Sequence, residues 1–305
     1  MEKNFVKIYA DFLNNFLNPL KKLKVVFDCS NGTTGIILKK LKNKNLELKI
    51  INNNPDGNFP THGPNHLANG AMDQLKKEIL KQSADLGVIF DADGDRAFFI
   101  DNRGRFIDPD IISRLLIWRL KPKKIVIETT AGNLLRNLNQ GLKIYESKVG
   151  HFYIKKLMQK IKADFGCERS GHYYFKNFFY ADSGILAAVE IINAVSKLPY
   201  SLADFIDLLP QYYRSKEINF RIENKNPRKI LEKIENEFKN QAIKISRLDG
   251  LTMEFNPPSG RWRFNLRVSN TEPLLRLNIE ADDKKILAKN YLLLRQSLSE
   301  FQFRA

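Results

Sequence analysis

Short apolar runs alternate with helix-like patterns along the first two-thirds of the chain. The runs at residues 24–28, 46–51, 86–90 and 124–128 predict strands, and the segments between them predict helices. Strands that alternate with helices form mostly parallel sheets covered by helices on both faces. Because the pattern begins again after Pro109, we expect two such domains. Each would be a three-layer α/β/α domain, with a sheet between two layers of helices.

The pattern changes near Arg214, where strands begin to outnumber helices. A run of strands framed by two helices, at residues 227–239 and 282–301, predicts an α+β domain. A hairpin within it would turn at Asp249 and Gly250. We therefore expect three domains, at residues 1–105, 106–213 and 214–305.

The composition favours a globular protein of the cytoplasm. Hydrophobic residues make up 43% and charged residues 28% of the 305 residues, which is ordinary globular usage and excludes disordered and fibrous classes. No apolar run approaches the roughly 20 residues of a membrane helix, and the first residues lack the apolar core of a secretory signal. The two cysteines, Cys29 and Cys167, have no metal-ligand neighbours in the sequence, which fits a reducing compartment.

The chain is strongly basic, with 50 lysines and arginines, 34 acidic residues and a net charge of +16. Such a charge attracts phosphates and nucleic acids. The basic residues are nevertheless scattered among many asparagines and isoleucines and form no long tail, which favours a general compositional bias. We expect no specific nucleic-acid partner, whereas an anionic small substrate is compatible with the charge.

The sharpest chemical signal is DADGDR at residues 91–96, directly after an apolar run. Asp91, Asp93 and Asp95 alternate along it and can converge on one hard cation such as Mg²⁺, which takes oxygen ligands. The neighbouring Arg96 suits a phosphate oxygen. A solvated acidic turn, or a haloacid-dehalogenase-type phosphatase with Asp91 as nucleophile, fits the same local pattern. We favour the metal site, because three aspartates in five residues follow a buried strand.

A second segment carries groups suited to a sugar. Residues 166–172, GCERSGH, combine glycines with Glu168 and Ser170, whose side chains can bind hydroxyl groups. They end in His172, which can transfer protons near neutral pH. Upstream, Lys148 precedes a predicted helix whose N-terminus favours an anion. A glycine-rich connector with solvated side chains remains the alternative for this part of the chain.

The third segment, RVSNTEP at residues 267–273, follows a predicted strand and offers hydroxyl, amide and guanidinium groups. These groups can clamp a phosphate dianion through charge-assisted hydrogen bonds. A polar turn with solvent-facing arginines is the alternative, and we favour the phosphate site. The candidate clamp residues are Arg267, Ser269, Asn270, Thr271 and Arg276.

Together and in this order, the three segments resemble the α-D-phosphohexomutase superfamily, most closely its bacterial phosphomannomutase/phosphoglucomutase group. The resemblance extends from about Val25 to Glu280. It includes PDGNFP at residues 55–60, GPN at 63–65, ADLGVIFDADGDR, KVGH, GCERSGHYYF, DSGILAA at 182–188 and SNTEP. A chance match would not reproduce so many long motifs in one order.

The resemblance implies an isomerase of carbohydrate metabolism, an intramolecular phosphotransferase that converts hexose 1-phosphate to hexose 6-phosphate. In that family a phosphoserine donates its phosphoryl group to the sugar, and a hexose 1,6-bisphosphate then returns the other phosphate to the serine. Glucose and mannose are both compatible substrates.

The resemblance also implies a role for each matching residue. The Mg²⁺ ligands would be Asp91, Asp93 and Asp95. The catalytic residues would be His172, as acid or base, with Arg96 and Lys148. The sugar hydroxyls would be bound by Glu168 and Ser170, and the phosphate that is not transferred would be bound by Arg267, Ser269, Asn270, Thr271 and Arg276.

The chain departs from the family in one respect. The family's catalytic serine lies in a first domain, in a loop resembling TASHNP, and no serine of this sequence has that context. We therefore expect the serine domain to be missing and mutase activity to need a separate protein that carries it. A truncated product, a non-catalytic sugar-phosphate-binding remnant and an Mg²⁺-dependent phosphatase are the alternatives.

Overall fold

A computed structural model describes residues 4–65, 68–138, 141–222, 226–269, 272–299 and 301. Its α-helices are α1 (Phe5–Phe16), α2 (Thr34–Leu38), α3 (Asp73–Gln82), α4 (Pro109–Leu120), α5 (Asn133–Arg136), α6 (His151–Ile161), α7 (Gly184–Val195), α8 (Leu202–Asp207), α9 (Pro227–Phe238) and α10 (Lys284–Ser299). Its strands are β1 (Leu23–Asp28), β2 (Leu46–Ile51), β3 (Leu86–Phe90), β4 (Ala97–Asp101), β5 (Phe106–Ile107), β6 (Lys124–Glu128), β7 (Lys143–Ser147), β8 (Phe165–Cys167), β9 (Tyr173–Phe175), β10 (Ala181–Asp182), β11 (Tyr213–Arg214), β12 (Ile218–Arg221), β13 (Lys244–Ser246), β14 (Leu251–Phe255), β15 (Trp262–Val268) and β16 (Leu274–Ala281). No helix among these residues is both long and apolar enough to cross a membrane.

The first sheet has the strand order β2-β1-β3-β4-β5. Strand β1 is parallel to β2 and β3, whereas β4 runs antiparallel to β3. Helix α3 covers one face with Leu75 and Ile79, which pack in one apolar cluster with Val26, Ile89 and Phe98. Because β1 and β3 are parallel neighbours, the loops that follow them leave the sheet at the same edge.

The second sheet has the order β10-β9-β8-β6-β7. Strands β6 and β8 are parallel, and β8, β9 and β10 form antiparallel pairs. Helix α6 packs Ile154 and Met158 against Val126 and Tyr174. Helix α7 is buried along its whole length and packs against α4 and β4. The prediction of two α/β/α domains is therefore confirmed, although α1 and the short strands β8, β9 and β10 were not predicted.

The third sheet is antiparallel, with the order β11-β16-β15-β14-β13, and β12 also pairs with β16. One face of the sheet forms an apolar core with α9 and α10, in which the rings of Phe255 and Trp262 stack 3.9 Å apart. Polar residues of β15, such as Asn265 and Arg267, alternate with this apolar set. The predicted hairpin turn at Asp249 and Gly250 joins β13 to β14. The prediction of a C-terminal α+β domain is confirmed.

The chain divides into two compact units. Unit 1 comprises Met1–Ile127, Asn137–Tyr145 and Gly150–Leu209, and it contains the whole first sheet and the β8–β9 hairpin. Unit 2 comprises Glu128–Arg136, Glu146–Val149 and Pro210–Ala305, and it contains the whole third sheet. The candidate metal and sugar loops thus lie in unit 1, and the candidate phosphate clamp lies in unit 2.

Candidate functional site

The DADGDR segment forms the loop between β3 and β4 and brings its carboxylates together. One oxygen of each of Asp91, Asp93 and Asp95 lies within 4.8 Å of the others. The loop bends back at Gly94, whose φ is +78° and whose N–H donates to Oδ1 of Asp91 at 3.2 Å. A Cβ at this glycine would collide with Cγ2 of Thr34. Both the backbone angle and the close approach therefore require glycine here.

Arg96 binds the first carboxylate of this loop. Its Nε donates to Oδ2 of Asp91 at 2.5 Å, and its backbone N–H donates to Oδ1 at 3.2 Å. Burial alone would raise the pKa of Asp91, but the hydrogen bonds and charge of Arg96 outweigh it and leave that pKa below its ordinary value. The contacts of the Arg96 side chain with described residues all use Nε. The terminal nitrogens of Arg96 would therefore make the expected contact with a phosphate, which stays a prediction.

Asp95 is only loosely paired within the loop, since its Oδ1 lies 3.7 Å from Nε of Arg96. Burial and the neighbouring charges of Asp91 and Asp93 raise its pKa to about 7, against the opposing charge of His172. Its Oδ1 atom is buried and has no hydrogen-bond partner among the described residues. An oxygen-only donor set with an unpartnered buried oxygen fits a hard divalent cation.

The carboxylate of Glu168 accepts three hydrogen bonds in and around the β8–β9 hairpin. The turn is closed by a hydrogen bond of 3.0 Å from the Glu168 N–H to the carbonyl of His172. The Glu168 carboxylate is buried and accepts from the N–H of Gly150 at 2.7 Å, from Ser170 Oγ at 3.1 Å and from the Tyr174 hydroxyl at 3.2 Å. Glu168 therefore holds the hairpin to the start of α6. Ser170 is exposed, and the direct contact of both residues with a sugar stays a prediction.

Within unit 1, His172 joins this hairpin to the DADGDR loop, the candidate metal-binding loop. Its backbone forms a bridge with Arg96, and its Nδ1 lies 3.8 Å from Oδ2 of Asp95. The same Nδ1 lies only 2.8 Å from Oδ2 of Asp182, just before α7. Burial would lower the pKa of His172, but the contact with Asp182 and the charges of Glu168 and Asp95 raise it above its ordinary value. The sequence analysis gave Asp182 no role, although it begins the DSGILAA motif.

A cleft of about 540 Å³ opens beside the metal-binding loop. Asp91, Asp93 and Arg96 line it together with Pro55 and Phe59. The PDGNFP segment, which the sequence analysis assigned no chemistry, thus forms a wall next to the candidate metal site. The cleft provides space beside the carboxylates for a phosphorylated group.

In unit 2, two arginines lie side by side on the polar face of the third sheet. Arg267 of β15 and Arg276 of β16 are direct cross-strand partners, and the Nε atoms of both are buried without a hydrogen-bond partner among the described residues. Glu217 lies 3.6 Å from Nη2 of Arg267 and 3.4 Å from Nη1 of Arg276. Glu272 binds Nη2 of Arg276 at 2.6 Å. The arginine pair therefore binds carboxylates in this structure, as an anion site would.

The remaining candidate residues are placed as follows. Ser269 is buried, and its N–H donates to the carbonyl of Leu274 at 2.8 Å. Asn270 and Thr271 lie outside the described residues. Lys148 belongs to unit 2 and stands just ahead of α6 in the chain. The roles of all four in binding or catalysis stay predictions.

Comparison with known families matches most of the chain. Models of the phosphoglucomutase/phosphomannomutase proteins match residues 7–104 as α/β/α domain II, residues 108–213 as α/β/α domain III and residues 217–290 as the C-terminal domain. The chain belongs to the phosphoglucomutase/phosphomannomutase family. The resemblance that the motifs indicated is thereby confirmed.

Curated family members are similar to the chain over most of its length. A phosphomannomutase of Methanocaldococcus jannaschii is 37% identical over 292 residues, which cover 92% of this chain. A phosphomannomutase of Escherichia coli K12 is 33% identical over 302 residues, which cover 91% of it. The chain spans 63% of the length of each of these two relatives.

Solved structures of the phosphoglucomutase/phosphomannomutase family share this fold. A family protein of Burkholderia thailandensis superposes with a TM-score of 0.84 and 23% identity, covering 99% of this chain and 66% of that one. Aspergillus fumigatus N-acetylphosphoglucosamine mutase, in complex with GlcNAc-6P and magnesium, superposes with a TM-score of 0.66 and 15% identity, covering 97% and 65%. At these identities the likeness concerns the fold.

Proposed function

We propose that this chain supplies the metal, sugar and phosphate sites of a phosphohexomutase, which interconverts the 1- and 6-phosphates of glucose or mannose. One observation carries the proposal. Within unit 1, three converging carboxylates lie beside a histidine on the adjoining hairpin, so a cation site and a proton-transfer group adjoin one another. In unit 2, the paired Arg267 and Arg276 offer a separate place for a phosphate dianion.

Asp91, Asp93 and Asp95 are the residues that would hold Mg²⁺. When bound there, the ion would neutralise negative charge on the phosphoryl group that is transferred. The Aspergillus fumigatus mutase, whose structure contains magnesium and a sugar phosphate, supports this assignment through the shared fold.

The chain's own side chains would bind the sugar phosphate and move its proton. In the forward step a sugar hydroxyl oxygen forms a bond to phosphorus, the bond from phosphorus to the serine oxygen breaks, and the hydroxyl proton passes to His172. Arg96 and Lys148 would stabilise charge on the moving phosphoryl group. The second phosphate would be held by Arg267, Ser269, Asn270, Thr271 and Arg276, and the sugar hydroxyls by Glu168 and Ser170. Binding of the remote phosphate supplies energy that orients the reacting end.

The phosphoserine would come from the family's first domain, whose TASHNP-type motif is not among the residues of this sequence. This chain would then contribute three domains, at residues 1–105, 106–213 and 214–305, and would act in the cytoplasm. The substrates would be hexose monophosphates, with hexose 1,6-bisphosphate as intermediate. A glucose 1,6-bisphosphate complex of the Aspergillus fumigatus mutase is in keeping with this substrate class.

The deciding experiment is an assay of glucose 1-phosphate conversion to glucose 6-phosphate, with Mg²⁺ and a trace of glucose 1,6-bisphosphate. It is run on the chain alone and again after adding a polypeptide with a TASHNP-type serine domain. Turnover only after the addition supports the proposal, and an Asp93→Asn variant should lower it at limiting Mg²⁺. Turnover by the chain alone would overturn the need for an added serine domain. Release of inorganic phosphate without isomerisation would indicate a phosphatase instead.

A further inference from the structure

We propose that Asp249 is a positioning residue for Lys148, whose backbone it holds from the turn between β13 and β14. This inference rests on the proposed function, because it specifies how one group that stabilises the moving phosphoryl group is kept in place. The sequence analysis expected Asp249 only to form a hairpin turn. Its carboxylate instead reaches Val149, 100 residues earlier in the chain.

The two peptide groups on either side of Lys148 are both hydrogen-bonded. The carbonyl of Ser147 accepts from the N–H of Thr129 at 3.0 Å. The N–H of Val149 donates to Oδ2 of Asp249 at 3.0 Å. Because peptide groups are planar, two held neighbours restrict both backbone angles of the residue between them. These bonds therefore restrict the direction in which the side chain of Lys148 leaves the backbone.

Of these two bonds, only the second is made by a side chain. The bond to Ser147 joins backbone groups, and Thr129 is held in turn by the buried Arg263, whose Nη2 donates to its carbonyl at 3.0 Å. The N–H of Val149 has no other acceptor in the part of the chain that the structure describes. The carboxylate of Asp249 is thus the replaceable part of the support around Lys148.

The turn that carries Asp249 is itself fixed to β15. The side chain of the buried Asn265 donates to the carbonyl of Asp249 at 3.0 Å. Gly250 has a φ of +70°, and a Cβ there would lie 2.6 Å from Cα of Arg267. The turn therefore packs closely against the backbone of a candidate phosphate-binding arginine. None of these contacts uses the carboxylate of Asp249, so its removal should leave the turn and Arg267 in place.

Lys148, Asp249 and Arg267 all belong to unit 2. One compact unit would therefore carry both the lysine for the moving phosphoryl group and the clamp for the other phosphate. The carboxylate of Asp249 connects the lysine segment to the sheet that bears the clamp.

The first test follows the backbone and needs no activity. In Asp249→Ala the N–H of Val149 loses its acceptor, so its hydrogen–deuterium exchange, measured by NMR, should become about tenfold faster. Asp249→Asn keeps an acceptor oxygen and should retain most of the protection. The matched control is Asp283→Ala, which removes a similar bond of 2.7 Å to the N–H of Lys285 and should not affect Val149. Equal exchange in Asp249→Ala and the wild type would overturn the inference.

The second test measures turnover with the serine domain supplied. Since a misplacement of about 1 Å can cost about 10²-fold in rate, Asp249→Ala should lower kcat by about 10- to 100-fold, and Asp249→Asn should recover most of it. The KM for glucose 1-phosphate should stay near the wild-type value, because the clamp keeps its backbone contacts. An unchanged kcat, or a higher KM alone, would refute the positioning role.

A double variant separates positioning from a general loss of structure. If Asp249 acts through Lys148, Asp249→Ala should change kcat by less than about twofold in a Lys148→Ala background. Multiplication of the two separate losses would overturn the inference. If the wild type is inactive even with the serine domain, the proposed function fails, and the exchange of Val149 still decides whether Asp249 holds this backbone.

Discussion

Arg267 and Arg276 are direct cross-strand neighbours, and Glu217 lies within 3.6 Å of both guanidinium groups. Two like charges at opposed positions of an antiparallel pair destabilise each other. A carboxylate between them relieves that repulsion and, like a phosphate, offers anionic oxygens to the guanidinium groups. We expect a phosphate that binds to these arginines to displace Glu217.

Arg267→Ala should weaken the binding of glucose 6-phosphate, because the dianion loses a charged hydrogen-bond donor. Such bonds contribute roughly 1.5–3 kcal/mol, which corresponds to about a 10- to 150-fold rise in Kd. Isothermal titration calorimetry measures this change. Arg295→Ala, an exposed arginine on α10, is the matched control and should bind as the wild type does. Equal affinity in both variants would exclude Arg267 from the phosphate site.

Glu217→Gln should have the opposite effect and tighten the binding of the same sugar phosphate. The neutral amide keeps the side-chain length but no longer competes as an anion for Arg267 and Arg276. We expect a change of a few-fold, since Glu217 is partly solvated and exposed ion pairs are weak. Weaker binding in this variant would mean that Glu217 orients the arginines and does not compete with the ligand.

Asp93→Asn should lower the affinity for Mg²⁺ by on the order of tenfold or more, because it removes a charged oxygen ligand. Asp93 is exposed, whereas Asp91 also binds Arg96, so a change at Asp93 disturbs the metal site with least effect on the loop. A calorimetric titration with MgCl₂ measures the affinity. The exposed Asp73→Asn on α3 serves as control. Identical titrations of Asp93→Asn and wild type would contradict the assignment.

Gly94→Ala should destabilise the chain, because the residue has a φ of +78° and its added Cβ would collide with Thr34. The left-handed backbone alone costs about 1–2 kcal/mol for a residue with a side chain. Urea unfolding at equilibrium would show a lower midpoint. Gly57→Ala is the comparison, since a Cβ there meets no atom within 4 Å. Equal losses in the two variants would argue against a constrained metal-binding loop.

The His62–Asp28 pair should make stability depend on pH. Nε2 of His62 lies 3.3 Å from Oδ1 of the fully buried Asp28, and this bond raises the pKa of His62 above 6.5 against the opposing effect of burial. A pKa that is raised by folding stabilises the protein fully below the unfolded value, and the contribution disappears as the pH rises through the folded pKa. His62→Gln should therefore lower Tm more at about pH 5.5 than at about pH 9. Equal Tm losses at both pH values would exclude this linkage.

The sequence alone indicated the motifs made of neighbouring residues, and it predicted the long helices and strands that have a regular hydrophobic pattern. The cluster of carboxylates is one such case, because Asp91, Asp93 and Asp95 are separated by single residues and follow an apolar strand, whereas their binding of a metal stays a prediction. The alternation of strands and helices predicted the α/β domains, and the later run of strands predicted the α+β domain. These features depend on interactions between near neighbours, which are visible in any one stretch of sequence.

Other elements carried weaker signals. Helix α1 was not predicted, although Asn4 caps it by accepting a hydrogen bond from the N–H of Lys7 at 3.0 Å, and asparagine is a common N-cap residue. Strands β8 and β9 contain only three residues each, which is too short for an alternating pattern to be recognised. Pairing with β6 and with each other forms them, and that pairing depends on the rest of the sheet.

The sequence by itself determined the family, the fold class and the residue types of the candidate sites. Only the tertiary structure decided their partners: Asp182 faces His172, Arg96 binds Asp91 and Glu217 lies between two arginines. Glu217 and Arg267 are far apart in the chain and meet through the pairing of strands. Charge and hydrogen-bonding capacity belong to a side chain and can be read locally. Which groups satisfy them is decided by packing of the whole domain, because a buried charge binds whichever partner the fold brings within reach.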